Sequence, residues 1–111
     1  MESKGLSKVL TQINANPMNL LLPNVKTKFN YFCSNGKSLN TSDWNNITSL
    51  FGQLLRNSEI ISNEECLSTV LQNLVHLCDH LVVDKQYMGV ISRVLSLCYA
   101  AGGILYKIVY P

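Results

Sequence analysis

The sequence predicts an all-α fold, four to five antiparallel helices around one core, helical-repeat-like or an orthogonal bundle. Three observations predict it. Apolar residues recur at steps of 3 and 4 through five segments, which is the helical period. No segment alternates apolar and polar residues as a half-buried strand does, and only Lys107-Ile108-Val109-Tyr110 comes near extended structure. Caps and breakers fall between the periodic segments, where helices start and stop.

The first helix is expected over residues 3–15, where Leu6, Val9, Leu10 and Ile13 form a narrow apolar stripe. Asn16-Pro17 closes it, and Pro17 suits the first position of one further turn through Leu20, Leu21 and Leu22. Pro23 ends that turn, because the residue before a proline is pushed out of the α region. A second helix over about 24–34 puts Val25, Phe29 and Phe32 on one face and Lys26, Lys28 and Asn30 toward water. Asn35-Gly36 is expected to end it in the left-handed conformation that glycine tolerates.

Thr41, Ser42 and Asp43 offer successive caps for a third helix, in which Trp44, Ile47, Phe51 and Leu54 step by 3, 4 and 3 until about Asn57. Ser62-Asn63-Glu64-Glu65 matches a capping box, with Ser62 as the cap, and opens a fourth helix over about 63–82. Its stripe is Leu67, Val70, Leu74, Leu77 and Leu81. Asp84 is expected to cap the last helix, about 85–108, whose inward set is Tyr87, Ile91, Val94, Cys98, Ala101, Leu105 and Ile108. Met88, Val90, Leu95, Leu97 and Ile104 spread its apolar surface until only a narrow wedge of Lys85, Ser92, Ser96 and Lys107 is polar. Such a helix is either central or covered by a second molecule. Gly102-Gly103 in its interior costs about 1 kcal/mol per glycine relative to alanine. Gly102 is therefore expected at a close approach or at an early break of the helix.

A chain of 111 residues suffices for one domain with its own core, and residues 1–111 read as a single helical domain. Hydrophobic residues make up 47% and charged residues 14%, against about 25% charged as the usual share, which excludes disorder and leaves surface to be covered. The net charge of +2 is too small to argue for nucleic acid. Its distribution is uneven, since Lys4, Lys8, Lys26, Lys28 and Lys37 make residues 1–42 basic while residues 43–111 are slightly acidic. Those five lysines are the candidate phosphate contacts of a nucleic-acid reading, but no single element gathers them.

Met1-Glu2-Ser3-Lys4 leads into no apolar run, so no secretory signal is read there. Met88 to Tyr106 is the strongest membrane candidate, and Arg93, Ser92 and Ser96 are expected to disqualify it. An intracellular location, cytoplasmic or nuclear, follows, with Cys33, Cys66, Cys78 and Cys98 as reduced thiols. Asn40-Thr41-Ser42 and Asn46-Ile47-Thr48 match the glycosylation triplet as chance allows in an asparagine-rich chain.

Chemistry-bearing constellations are sparse. His76 and His80, four apart, could share a metal with Asp79, but on an ideal helix they face water while Cys78 turns to the core. Cys78 therefore also lacks a histidine base, and no cofactor, metal, small-molecule substrate or catalysis is expected. Glu64-Glu65 is explained by helix capping. Among the aromatic residues, Trp44 and Phe51 read as core. Met88, Leu95, Tyr99 and Tyr106 are the residues left over once one core is built, and they are the interface candidates.

Val70-Leu71-Gln72-Asn73-Leu74-Val75-His76-Leu77-Cys78 and Ile91-Ser92-Arg93-Val94-Leu95-Ser96-Leu97-Cys98 share a local pattern, aligned on Leu77-Cys78 and Leu97-Cys98. On this pattern, residues 42–109 resemble armadillo or HEAT-type helical-repeat proteins. The offset of about 20 residues is half a repeat of roughly 40–47, so the two segments would be paired helices of one repeat. The resemblance implies a non-catalytic scaffold that binds protein, and the end at Tyr110-Pro111 straight after an apolar helix suggests the N-terminal part of a longer one. The expected function is protein–protein interaction or oligomerisation. A nucleic-acid-binding helical domain is the alternative. A Bcl-2-like viral bundle gripping a partner helix also fits the helix count, although the Asn-Trp-Gly-Arg-like segment of such bundles is missing.

Overall fold

Asparagine side chains, more than hydroxyls, start the helices of this chain. In the computed structural model, residues 2–81 and 84–111 are described, with residues 2–4 described by their backbone alone. Six α-helices follow one another: α1 (Glu2–Ala15), α2 (Pro23–Ser34), α3 (Thr41–Leu54), α4 (Ser58–Ser62), α5 (Glu64–Asp79) and α6 (Met88–Val109). Short 3-10 turns at Pro17–Leu21, Gly36–Ser38 and Lys85–Tyr87 join them, and no strand occurs among the described residues. The fold is all-α.

Four boundaries share one device. The side-chain oxygen of Asn16 accepts from the Met18 N–H at 3.1 Å, that of Asn40 from Asp43 at 2.8 Å, that of Asn57 from Glu59 at 2.9 Å and that of Asn63 from Cys66 at 3.0 Å. Each satisfies a donor that the first helical turn leaves unpaired. The capping box therefore lies at α3, where the Asp43 carboxylate accepts in return from the Asn40 N–H, and Thr41 is already helical. Ser62 is not a cap. It closes the single-turn α4, its hydroxyl donating to the Glu59 carbonyl, and Asn63 starts α5. The sequence predicts an end of the third helix near Asn57 and no helix between it and Ser62, whereas α4 forms there because Asn57 caps it and Ile60 is fully buried.

Gly36 also departs from expectation. No described residue, glycine included, has a positive φ. Gly36 is instead a place of close approach, since a Cβ there would lie 2.8 Å from the Cβ of His80 and 3.1 Å from the Trp44 ring.

Leu6, Ile13, Leu20, Phe29, Trp44, Ile47, Phe51, Ile60 and Leu77 make the centre of one contiguous core. The rings of Phe29 and Phe51 meet with centroids 5.5 Å apart. Helix α2 lies on α5, α1 on α2 and α3, and α6 mainly on α3, with a thinner seam to α5. The molecule measures 40 × 30 × 19 Å, so its shortest dimension holds about two helices of roughly 10 Å each. In a slab two helices thick, no helix is covered on every side. Helix α6, the most apolar, is therefore not central.

Candidate functional site: the outer face of α6

With 22 residues, α6 is about 33 Å long, whereas the 14 residues of α3 beneath it reach about 21 Å. Val90, Val94, Leu97 and Ala101 are buried against the core, and beyond Ala101 only Ile104 is half-buried. Leu105 and Ile108, expected inward, are 44% and 54% exposed because the helix outruns α3 and an open cleft separates its end from α4 and α5. Gly102 and Gly103 mark neither a break nor a close approach: the helix continues to Val109, and no atom lies within 4 Å of a Cβ added at either.

The four interface candidates stay outside the core. Met88 is 58% exposed, Leu95 61%, Tyr99 87% and Tyr106 65%. At 100° per residue they fall within about 40° of one another, on the side of α6 away from its buried residues. Met88, Ile91, Ser92, Leu95, Ser96 and Tyr99 border a shallow depression of about 460 Å³. The Tyr106 ring meets that of Tyr110 at 4.9 Å. On the flank of the helix that meets α3, the Arg93 guanidinium donates to the Asn45 side-chain oxygen and ties α6 to α3. By length and composition Lys85–Val109 could cross a membrane, with a mean hydropathy of 1.6 in its most apolar stretch, of which 22% is buried. The single arginine and the two serines thus do not disqualify it as expected.

Where α6 leaves α5 behind, an apolar cleft opens. One part, about 670 Å³, is bordered by Ile61, Leu67, Leu71 and Ile108; the next, about 240 Å³, by Leu71, Val75, Cys78, Cys98 and Leu105. Within the second, the sulfurs of Cys78 and Cys98 lie 3.4 Å apart. Burial pushes the Cys78 thiol up to about 12, and the Cys98 sulfur and the Asp79 carboxylate add to the rise. Cys33 and Cys66 are fully buried, and burial raises both thiols. All four cysteines are free. The pairing of Cys78 with Cys98 is not drawn from the sequence above, although the two segments aligned on those cysteines carry the signal.

His76, Asp79 and His80 are not brought together as a group able to hold a metal among the described residues. Helix α5 ends at Asp79, which is exposed. The two histidines are half-buried instead of facing water, and the Nδ1 of His80 is shielded without a hydrogen-bond partner. Among the lysines, Lys8 on α1, Lys28 on α2 and Lys37 are exposed. Lys26 is half-buried and borders a pocket with Glu64 and Glu65, so carboxylates already share its surroundings. The side chain of Lys4 lies outside the described residues, as does Val82, the expected end of the fourth helix. Comparison with protein-family models, with curated proteins and with solved structures finds no match to this chain.

Proposed function

We propose that this chain is a non-catalytic protein–protein interaction or oligomerisation module that works through the outer face of α6. One observation carries the reading: Met88, Leu95, Tyr99 and Tyr106, all more than half exposed, form a single stripe on the longest helix. Burying a large apolar side chain is worth about 1.5–3 kcal/mol, so an uncovered stripe of four is a strong drive toward association. Arranged as paired antiparallel helices, α5 and α6 would form one repeat-like unit of an intracellular helical scaffold. Small-molecule chemistry and nucleic acid have no part in this reading.

The test is the Leu95→Asp/Tyr99→Asp double variant, examined by sedimentation and circular dichroism beside the wild type at matched concentration. The wild type should associate, with itself or with a partner, and the variant should not, its helix content staying near wild type. A wild type that is monomeric and binds no partner overturns the proposal. An unfolded variant would place Leu95 and Tyr99 in the core and equally overturn it.

A further inference from the structure

We propose that the occupant of the α6 stripe is a second copy of this chain, its α6 laid antiparallel on the first about a twofold axis level with Leu97. This rests on the interaction reading above and gives it a partner and a register. The spacing is palindromic. Met88 and Tyr106 are equidistant from position 97, and so are Leu95 and Tyr99. In an antiparallel pair, Met88 therefore meets the partner's Tyr106, and Leu95 meets the partner's Tyr99. Every contact occurs twice, as a closed twofold interface requires. In the same register Ser92 stands level with the partner's Gly102, and Ile91 with the partner's Gly103.

Those glycines supply a second argument. Each weakens α6 by about 1 kcal/mol relative to alanine, yet neither makes room for anything within its own chain. A helix crossing at that level uses the room, since glycine lets another backbone come close. The register also keeps cations apart: Lys85 and Lys107 stand level with the partner's Val109 and the partner's Tyr87 in the antiparallel pair.

The experiment uses charge exchange on the full chain, read by sedimentation across the micromolar range with circular dichroism as the control for folding. Wild type should be dimeric, and Leu95→Glu and Tyr99→Lys should each be monomeric. The Leu95→Glu/Tyr99→Lys double variant should regain the dimer, because each new carboxylate would face a new ammonium of the partner. A dimeric wild type whose double variant stays monomeric overturns the antiparallel register and leaves the stripe as an interface. A monomeric wild type overturns the second copy as occupant, and so does one that associates only when phosphatidylcholine vesicles are added.

A separate observation, the 3.4 Å between two half-buried sulfurs, carries a second inference. We infer that Cys78 and Cys98 are a modification site for hydroperoxides, closing to a disulfide that staples α5 to α6. The sulfurs need approach by only roughly 1.4 Å to reach bonding distance. The seam between these helices is thin, and the apolar cleft beside it gives a small oxidant access. Both sulfurs border the cleft; with Cys98 as the attacking sulfur, Cys78 is the one that closes the bridge. After losing its proton, Cys98 Sγ attacks one peroxide oxygen. The O–O bond breaks, and the departing hydroxide takes up that proton as water. Cys78 Sγ then displaces the hydroxyl from the resulting sulfenic acid, forming the S–S bond, and its proton leaves with that hydroxide as a second water. Two electrons pass from the thiols to the peroxide. Cys33 and Cys66, fully buried, serve as internal controls.

The full chain is treated with hydrogen peroxide, quenched, denatured, alkylated without reductant and mapped by mass spectrometry. The expected product has lost two hydrogen atoms, joins the peptides of Cys78 and Cys98 within one chain, and returns to the dithiol with dithiothreitol. Its melting temperature should rise by about 5 °C or more. Sulfinic acid without a bridge, or bridges only between chains, overturns the inference. A bridged product that melts below the reduced protein overturns the staple.

Discussion

At the scale of single residues, asparagine does most of the local work in this chain. Asn16, Asn40, Asn57 and Asn63 each cap a helical segment, and Asn35 donates from its side chain to the Tyr31 carbonyl near the end of α2. Asn73, almost wholly buried, accepts from Asn30 at 3.2 Å and donates to the Thr69 carbonyl at 2.9 Å, joining α5 to α2. An amide can do this because it carries both donors and an acceptor without the cost of burying charge. The cap of α5 is the sharpest case for measurement. Asn63→Ala should lower stability by about 1 kcal/mol, whereas Ser62→Ala should change it by no more than about 0.5 kcal/mol. Urea denaturation of both variants checks the pair, and a larger loss at Ser62 would return the cap to the hydroxyl. The sequence made a cap in this region legible but not its owner, because Ser62 and Asn63 both suit the role and only the backbone turn at Asn63 decides.

At the scale of elements, the apolar periods of α1, α2, α3 and α5 were legible because each has one buried side. Helix α6 is apolar on two sides, and periodicity cannot say which side the core takes. That is why Leu105 and Ile108 were expected inward, while the outward stripe of Met88, Leu95, Tyr99 and Tyr106 still followed by subtraction. Helix α4 was missed because five residues show no period. The glycines separate two kinds of surroundings that look alike in sequence. Gly36→Ala should destabilise the fold by about 1–3 kcal/mol, since the added carbon would press on His80 and the buried Trp44. Gly103→Ala, measured dilute, should stabilise it by up to about 1 kcal/mol, since open space surrounds it in an otherwise continuous helix. Thermal denaturation of the two variants tests the contrast, and a shift of the same sign in both would contradict it.

At the scale of the whole molecule, a slab of about two helices' thickness holds a core that reaches only as far along α6 as Ala101. The overhang divides one continuous helix into two regimes of motion. Backbone amides from Val94 to Ala101 are locked by the core and can open only when a large part of the fold opens with them. Those from Leu105 to Val109 sit on exposed turns held mainly by the helix ladder, and are expected to open from the end. Amide hydrogen exchange followed along α6 should therefore show a sharp rise in rate past Ala101, with no change of secondary structure to mark it. On the proposed reading, the last turns would serve as a loose grip, presenting Tyr106 on a helix whose angle can still adjust as a partner closes over it.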